Sequence, residues 1–206
     1  MNGFDRRTVL KGAAALTACV ALPARAFAQA FSISEQHRAI LAVAKAQVER
    51  NRARLWRTDI AGIADFALPS SLPRFHFADL EKGEVRSFLV AHGRGSDPEH
   101  DGFLKLFSNV PDSLATSRGA FVTYEWYKGK YGTSIRLGGV DTDNSNALER
   151  AIVLHPAWYA NPDMLEKWGK LGRSDGCFAM AEADFNEALW HLSGGRLIYA
   201  DRLGLG

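Results

Sequence analysis

The amino-acid sequence predicts a mixed α+β domain, mainly β, led by an N-terminal helix. Three observations predict it: apolar residues at helical spacing near the start, alternating segments separated by turn residues, and few segments suited to crossover helices. From Ser34 to Arg52, Ile40, Leu41, Val43, Ala44 and Val48 recur among charged residues, which predicts an amphipathic helix capped by Ser34. Arg74 to Leu80 alternates, Glu81-Lys82-Gly83-Glu84 reads as a turn, and Val85 to Val90 is apolar-rich, so a β-hairpin is expected. A polar loop holding His92-Gly93-Arg94-Gly95-Ser96 follows. Ala120 to Tyr127 and Thr133 to Leu137 flank Lys128 to Gly132 as a second hairpin, and Ala151 to Leu154 forms a short buried strand ending at His155. Ala181 to Leu192 reads as a helix stopped by Gly194-Gly195, and Arg196 to Asp201 as a last strand.

The first 28 residues have a different character. Asp5 to Lys11 is charged, Gly12 to Leu22 is uncharged but short for a membrane span, and Ala26-Phe27-Ala28 after Pro23 suits a signal peptidase. A signal peptide of residues 1–28 and a single domain of residues 29–206 are therefore expected. Arg6-Arg7, Leu10 and Lys11 resemble a twin-arginine export signal, with Val9 where that pattern prefers Phe, and an ordinary secretory signal is the alternative. Leu16-Thr17-Ala18-Cys19 resembles a lipoprotein box, but the apolar run continues past Cys19 and a second cleavage site follows. The periplasm is the expected compartment. Losing the signal leaves 21 basic and 22 acidic side chains of interspersed sign, which gives no footprint for nucleic acid, and no second apolar stretch could cross a membrane.

Cleavage would also leave Cys177 as the sole cysteine, so no intramolecular disulfide could form. Its surroundings, Gly172-Arg173-Ser174-Asp175-Gly176-Cys177-Phe178, point to chemistry. A glycine before a cysteine permits a tight turn that aims successive N–H groups at one point and leaves the thiol accessible. An oxyanion formed by attack of that thiol needs such donors. His155, at the end of an apolar strand, is the expected base, and a nearby imidazolium would lower the thiol's pKa.

His155, an eighteen-residue gap and Ser174-Asp175-Gly176-Cys177 resemble the signature of YkuD-like L,D-transpeptidases. Phe107 to Phe121 is similar to the stretch preceding the catalytic strands in that family, and the resemblance spans roughly residues 87–201. It implies an L,D-transpeptidase-like β-sheet or sandwich catalytic domain acting on peptidoglycan stem peptides without metal or organic cofactor. Cys177 would attack the third residue of a tetrapeptide stem and expel D-Ala, with His155 as base and the Gly176 and Cys177 N–H groups as oxyanion donors. Ser174 would bond within the site, and Pro156 would offer the carbonyl that orients the imidazole. An amine acceptor gives a 3→3 cross-link, while water makes the enzyme an L,D-carboxypeptidase. Four positions depart from the family pattern: Asp175 stands where His is frequent, Pro156 where Gly is frequent, and Phe178-Ala179 where a polar residue or Arg is common. Arg173 or Arg136 is the expected substitute for that Arg as a substrate carboxylate partner.

His92 is either a second site-facing histidine, contacting substrate, or a loop histidine bonded to backbone. Gly93 and Gly95 lack the spacing and lysine of a phosphate loop. His92, His155, Asp175 and Cys177 contain no tight ligand pair, so a zinc site is not expected. Trp158, Tyr159, Tyr124 and Trp126 are divided between core and a glycopeptide groove. A papain-type protease would place Cys before His, the reverse of the order seen. A catalytically silent wall-binding domain remains, and thiol reactivity separates it from the enzyme.

Overall fold

The computed structural model describes residues 24–205, so the paired arginines and Cys19 lie outside the described residues. Helix α1 (Ala24–Asn51) begins ten residues before the expected start, and Ser34 lies within it rather than capping it. The physical reason is the Ala-rich stretch from Ala24 to Ala30, which has high helix propensity and no breaker after Pro23. The expected signal-peptide boundary at Ala28 therefore falls within this helix.

Among the described residues eight strands form a single sheet: β1 (Ile60–Asp65), β2 (Phe75–Asp79), β3 (Glu84–Phe88), β4 (Gly119–Gly129), β5 (Gly132–Gly139), β6 (Val153–Pro156), β7 (Phe178–Met180) and β8 (Leu197–Asp201). Their spatial order is β3-β2-β1-β8-β4-β5-β6-β7. Both expected hairpins form, β2–β3 and β4–β5, and both are antiparallel. The β1–β8 and β6–β7 pairs are parallel. Two further α-helices, α2 (Asp163–Trp168) and α3 (Glu182–Leu192), and four short 3-10 turns complete the described elements.

Each face of the sheet is covered, which explains why the mainly β chain needs its helices. On one face, Ile40, Ala44 and Val48 of α1 pack on Ala61, Ile63, Ala78, Ala120 and Leu197. On the other, Phe185, Ala188 and Leu192 of α3 join Phe75, Phe121, Leu154 and Phe178. Strand β1 carries no alternating signal in the sequence, because Ile60-Ala61-Gly62-Ile63-Ala64 is buried on both faces. At Gly62 an added Cβ would lie 3.1–3.2 Å from Phe75, Ile198 and Leu192, so this strand accepts little more volume.

The far edge of the sheet positions the motif residues. β7 lies beside β6, and its outer side is not bare: the Ala91 N–H donates to the Ala179 carbonyl (2.8 Å), and the Ala179 N–H returns a bond to the Ala91 carbonyl (3.3 Å). Leu89, Ala91, Ala160, Met164, Leu171 and Ala179 form a small core beneath this edge. Two residues before β6, Ala151 adopts φ +51° and belongs to a turn, so the expected strand start at 151 moves to 153.

Candidate active site

Cys177 immediately precedes β7, and His155 sits within β6. The parallel register pairs Leu154 with Phe178 and His155 with Ala179. Carried back one residue, it sets Cys177 beside Val153, on the same sheet face as His155 and diagonal to it. On β5, Arg136 pairs with Val153, which puts Arg136, Val153 and Cys177 in one row across three strands. Ile135, Leu154 and Phe178 take the opposite face and enter the main core, which holds this register.

The turn before Cys177 is tightly built. Gly176 has φ +113°, a region L side chains rarely adopt. Ser174 Oγ donates to the Cys177 carbonyl (2.6 Å) and accepts from the Gly176 N–H (3.2 Å). The Gly176 N–H is thus engaged by Ser174, leaving the Cys177 N–H as the stronger of the two expected oxyanion donors. From outside, the Ser174 N–H donates to the His92 carbonyl (2.9 Å) and the Arg94 N–H to the Ser174 carbonyl (2.8 Å). Gly93 packs on the turn so closely that a Cβ there would come within 2.6 Å of the Gly176 Cα. Gly93 thus serves close backbone approach to the cysteine turn, and Gly95 close approach to the backbone of residues 113–115.

Both members of the Cys–His pair are electrically neutral at rest. Burial pushes the Cys177 thiol up to about 11, a bond from the Val153 N–H opposes this, the Asp175 charge adds to it, and Arg150 opposes it. Cys177 is 6% exposed, and its thiol hydrogen points at the Ala151 carbonyl (3.7 Å). His155 is held below the usual histidine range by burial, against the pull of the Pro156 carbonyl, which lies 3.0 Å from Nδ1. The expected imidazolium that lowers the thiol's pKa is therefore not the resting arrangement, because desolvation is the dominant effect on each group and favours its neutral form. With Nδ1–H directed to Pro156, Nε2 is the nitrogen able to accept a proton.

The remaining sequence-derived residues divide. Arg136 forms an ion pair with Glu125 (2.8 Å) over the Tyr127 ring. Arg173 donates to the carbonyls of Asp97 and Pro98 and so turns toward that loop. His92 does not face the site: it is 1% exposed, with Nδ1 2.6 Å from the Arg74 guanidinium. Burial and the Arg74 charge depress its pKa to about 2, so it is a neutral interior residue. Among the described residues, no group of three or more His, Cys, Asp or Glu side chains is placed to hold a metal.

Three further residues belong here: Tyr159, which the sequence offered for a groove or the core, and Tyr131 and Arg150, which it did not single out. Tyr131, at the tip of the β4–β5 hairpin, stacks on the His155 ring. Tyr159 is close enough for the charges of Cys177 and Asp175 to add to burial in raising its pKa. Arg150 lies against Gly176. Neither Tyr131 nor Arg150 carries a local signal, since a hairpin tyrosine and a loop arginine ordinarily read as solvent-facing. A groove of about 430 Å³ runs past Tyr131, Pro156, Asn161, Glu182 and Asn186, and a second of about 330 Å³ runs past Tyr159, Met164, Trp168 and Lys170. Trp158, 73% exposed, borders both. Of the four aromatics divided between groove and core, Trp158 and Tyr159 line grooves, while Trp126 is exposed and Tyr124 packs against Trp56.

Comparison with known proteins gives a family model described as L,D-transpeptidase catalytic domain, matching residues 28–200. A model of the twin-arginine translocation pathway signal sequence matches residues 3–23. Among solved structures, an L,D-transpeptidase from Mycobacterium smegmatis is similar at 16% identity and TM-score 0.43, over 69% of this chain and 58% of that chain. An L,D-transpeptidase from Xylanimonas cellulosilytica is similar at 16% identity and TM-score 0.42, over 69% of this chain and 60% of that chain. One from Mycobacterium tuberculosis H37Rv matches at 14% identity and TM-score 0.43, over 69% of this chain and 57% of that chain. The chain thus spans less than two thirds of the length of these structures. No curated protein matches it.

Proposed function

Because the chain belongs to the L,D-transpeptidase catalytic domain family, we propose that it is a cysteine acyltransferase that forms 3→3 cross-links from tetrapeptide stems of peptidoglycan. The observation that carries this reading is the shared sheet face of Cys177 and His155, with the imidazole oriented by the Pro156 carbonyl. As stem peptide binds, His155 Nε2 takes the thiol proton while the sulfur attacks the carbonyl of the third stem residue. With the thiol at about 11 and the imidazole below its usual range, a free ion pair is costly, so proton transfer accompanies S–C bond formation. The Cys177 N–H faces the oxyanion, and Ser174 holds the turn that aims it. Collapse expels D-Ala, whose amine receives the proton from His155, and leaves a thioester.

An amine from a second stem then attacks the thioester, His155 takes its proton, and the thiol is regenerated; water in its place makes the L,D-carboxypeptidase product. The groove past Tyr131 and Pro156 adjoins His155 and carries Glu182, so it suits an approaching ammonium. Arg136 is the better placed of the two arginines for a substrate carboxylate, since it lies in row with Cys177. The twin-arginine signal directs the chain across the cytoplasmic membrane. Cleavage after Ala28 and residence of residues 29–206 in the periplasm complete the proposal. Among the described residues no helix is long and apolar enough to cross a membrane. The test is purified protein incubated with a disaccharide-tetrapeptide, read by mass spectrometry. D-Ala loss with dimer formation is expected, D-Ala loss alone selects the carboxypeptidase, and neither product overturns the reading in favour of a silent domain.

A further inference from the structure

The turn that feeds β6 meets the nucleophile through two consecutive residues. Ala151 has φ +51°, a conformation that costs an alanine on the order of 1 kcal/mol. Its carbonyl is the acceptor of the Cys177 thiol at 3.7 Å. Arg150, one residue earlier, lays its guanidinium along the Gly176 turn, where a Cβ built on Gly176 would be 3.3 Å from Nη2. Four bonds hold that guanidinium still. Nη1 donates to the Ser108 carbonyl (2.7 Å) and Ser117 Oγ (2.6 Å), and Nη2 donates to Ser113 Oγ (3.1 Å) and the Ala115 carbonyl (2.5 Å).

All four acceptors are neutral oxygens, and no carboxylate forms an ion pair with Arg150 among the described residues. A partly buried cation without a counter-ion is costly to keep, since it loses hydration and gains only dipoles in return. Its compensation would come when the neighbouring sulfur ionises. The other groups around that sulfur do not take this role: Asp175 is negative and paired with Arg94 (2.8 Å), while Tyr159 and His155 are neutral.

We infer that Arg150 is a positioning residue for the nucleophile, a fixed cation that stabilises the Cys177 thiolate and ties the 108–117 loop to the Gly176 turn. This rests on the reading of Cys177 as nucleophile but not on the identity of the acyl donor. The experiment measures the rate of Cys177 alkylation by iodoacetamide from pH 7 to 10, beside thermal melting. Arg150→Gln should slow alkylation about tenfold at pH 8, equivalent to raising the thiol's pKa by one unit, and Arg150→Lys should recover part of the loss. Arg150→Gln alkylating at the wild-type rate, with only a lower melting temperature, would make the residue a loop pin and overturn the inference. Should Arg150→Gln not fold, Ser117→Ala decides: loss of its anchor should slow alkylation severalfold, and an unchanged rate overturns the inference equally. Wild-type protein that alkylates at Cys177 yet releases no D-Ala from tetrapeptide would remove the proposed reaction and leave the role of Arg150 intact.

Discussion

The Tyr131 ring lies over the His155 ring, with centroids 4.5 Å apart and planes 21° from parallel. Burial is the main cause of the lowered His155 pKa, and Tyr131 is a removable part of that cover. Tyr131→Ala should let water reach the imidazole and raise its pKa toward the ordinary 6.5. Since His155 works as the neutral base, a higher pKa means that protonation removes activity at a higher pH. The acid limb of kcat/KM for D-Ala release should therefore move up, with a larger loss at pH 6 than at pH 8. A limb that stays in place would show that the hairpin does not shield the base.

The thiol's elevated pKa makes a second outcome explicit. Below about 11, each pH unit multiplies the thiolate fraction roughly tenfold. Plain alkylation of Cys177, which consumes the thiolate directly, should accordingly accelerate from pH 7 to 9, and a carbapenem, a strained acyl donor, should modify Cys177 alone. Cys177→Ala should melt within a few degrees of wild type, because the sulfur gives up only weak bonds, to the Ala151 carbonyl and from the Val153 N–H. It should form no adduct and release no D-Ala; residual turnover would eliminate the thioester mechanism.

The two arginines proposed for substrate carboxylate give separable results. Arg136→Gln should raise KM for tetrapeptide by about tenfold, as expected for losing a charge-assisted hydrogen bond, while leaving iodoacetamide alkylation unchanged. Arg173→Gln should leave KM in place and lower stability, since its guanidinium serves the Asp97 and Pro98 carbonyls. The opposite pair of results would transfer the substrate role to Arg173.

Stability should decline on acidification beyond what the carboxylates cause. His92 and His76 are neutral in the folded state, with pKa values lowered by burial to about 2 and about 4. The unfolded chain takes up protons below 6.5 that the folded chain refuses. Their contribution is therefore whole above pH 6.5 and is lost as pH falls, His76 down to about 4 and His92 further, at about 1.4 kcal/mol per pH unit for each. Thermal denaturation from pH 7.5 to 4.5 checks this, and His76→Gln should flatten the slope. An equal slope in that variant would mean that His76 does not stay neutral.

Legibility in the sequence followed the range of the signal. Both hairpins and α3 could be read because alternation, turn residues and Gly194-Gly195 are local. Cys177 and Ser174 were visible because glycine, hydroxyl and thiol stand within four residues of each other. The partnership of Cys177 with Arg150 was not, since it depends on the β6–β7 pairing and on a loop held by Arg150 itself. β7 is three residues long and β1 is apolar on both faces, so neither has a period to read. His92 was ambiguous for a different reason: only the fold shows that Arg74, eighteen residues earlier, reaches its ring.

Strand β8 lies between β1 and β4, so it alone joins the β1–β3 part of the sheet to the β4–β7 part. A ribosome reaches residues 197–201 after every other strand has been made, and until then Ala61, Ile63, Ala120 and Phe121 lack the neighbour that covers their backbone edges. Two half-sheets with open edges are sticky, and joining them pairs β1 with a strand more than 130 residues later, a contact with a large loop-closure cost. Closure of the sheet is thus the last step in assembling it. Residues 3–23 match a twin-arginine signal, a route for cargo already folded, so the timing of the last strand sets the earliest moment at which this chain is fit to leave the cytoplasm.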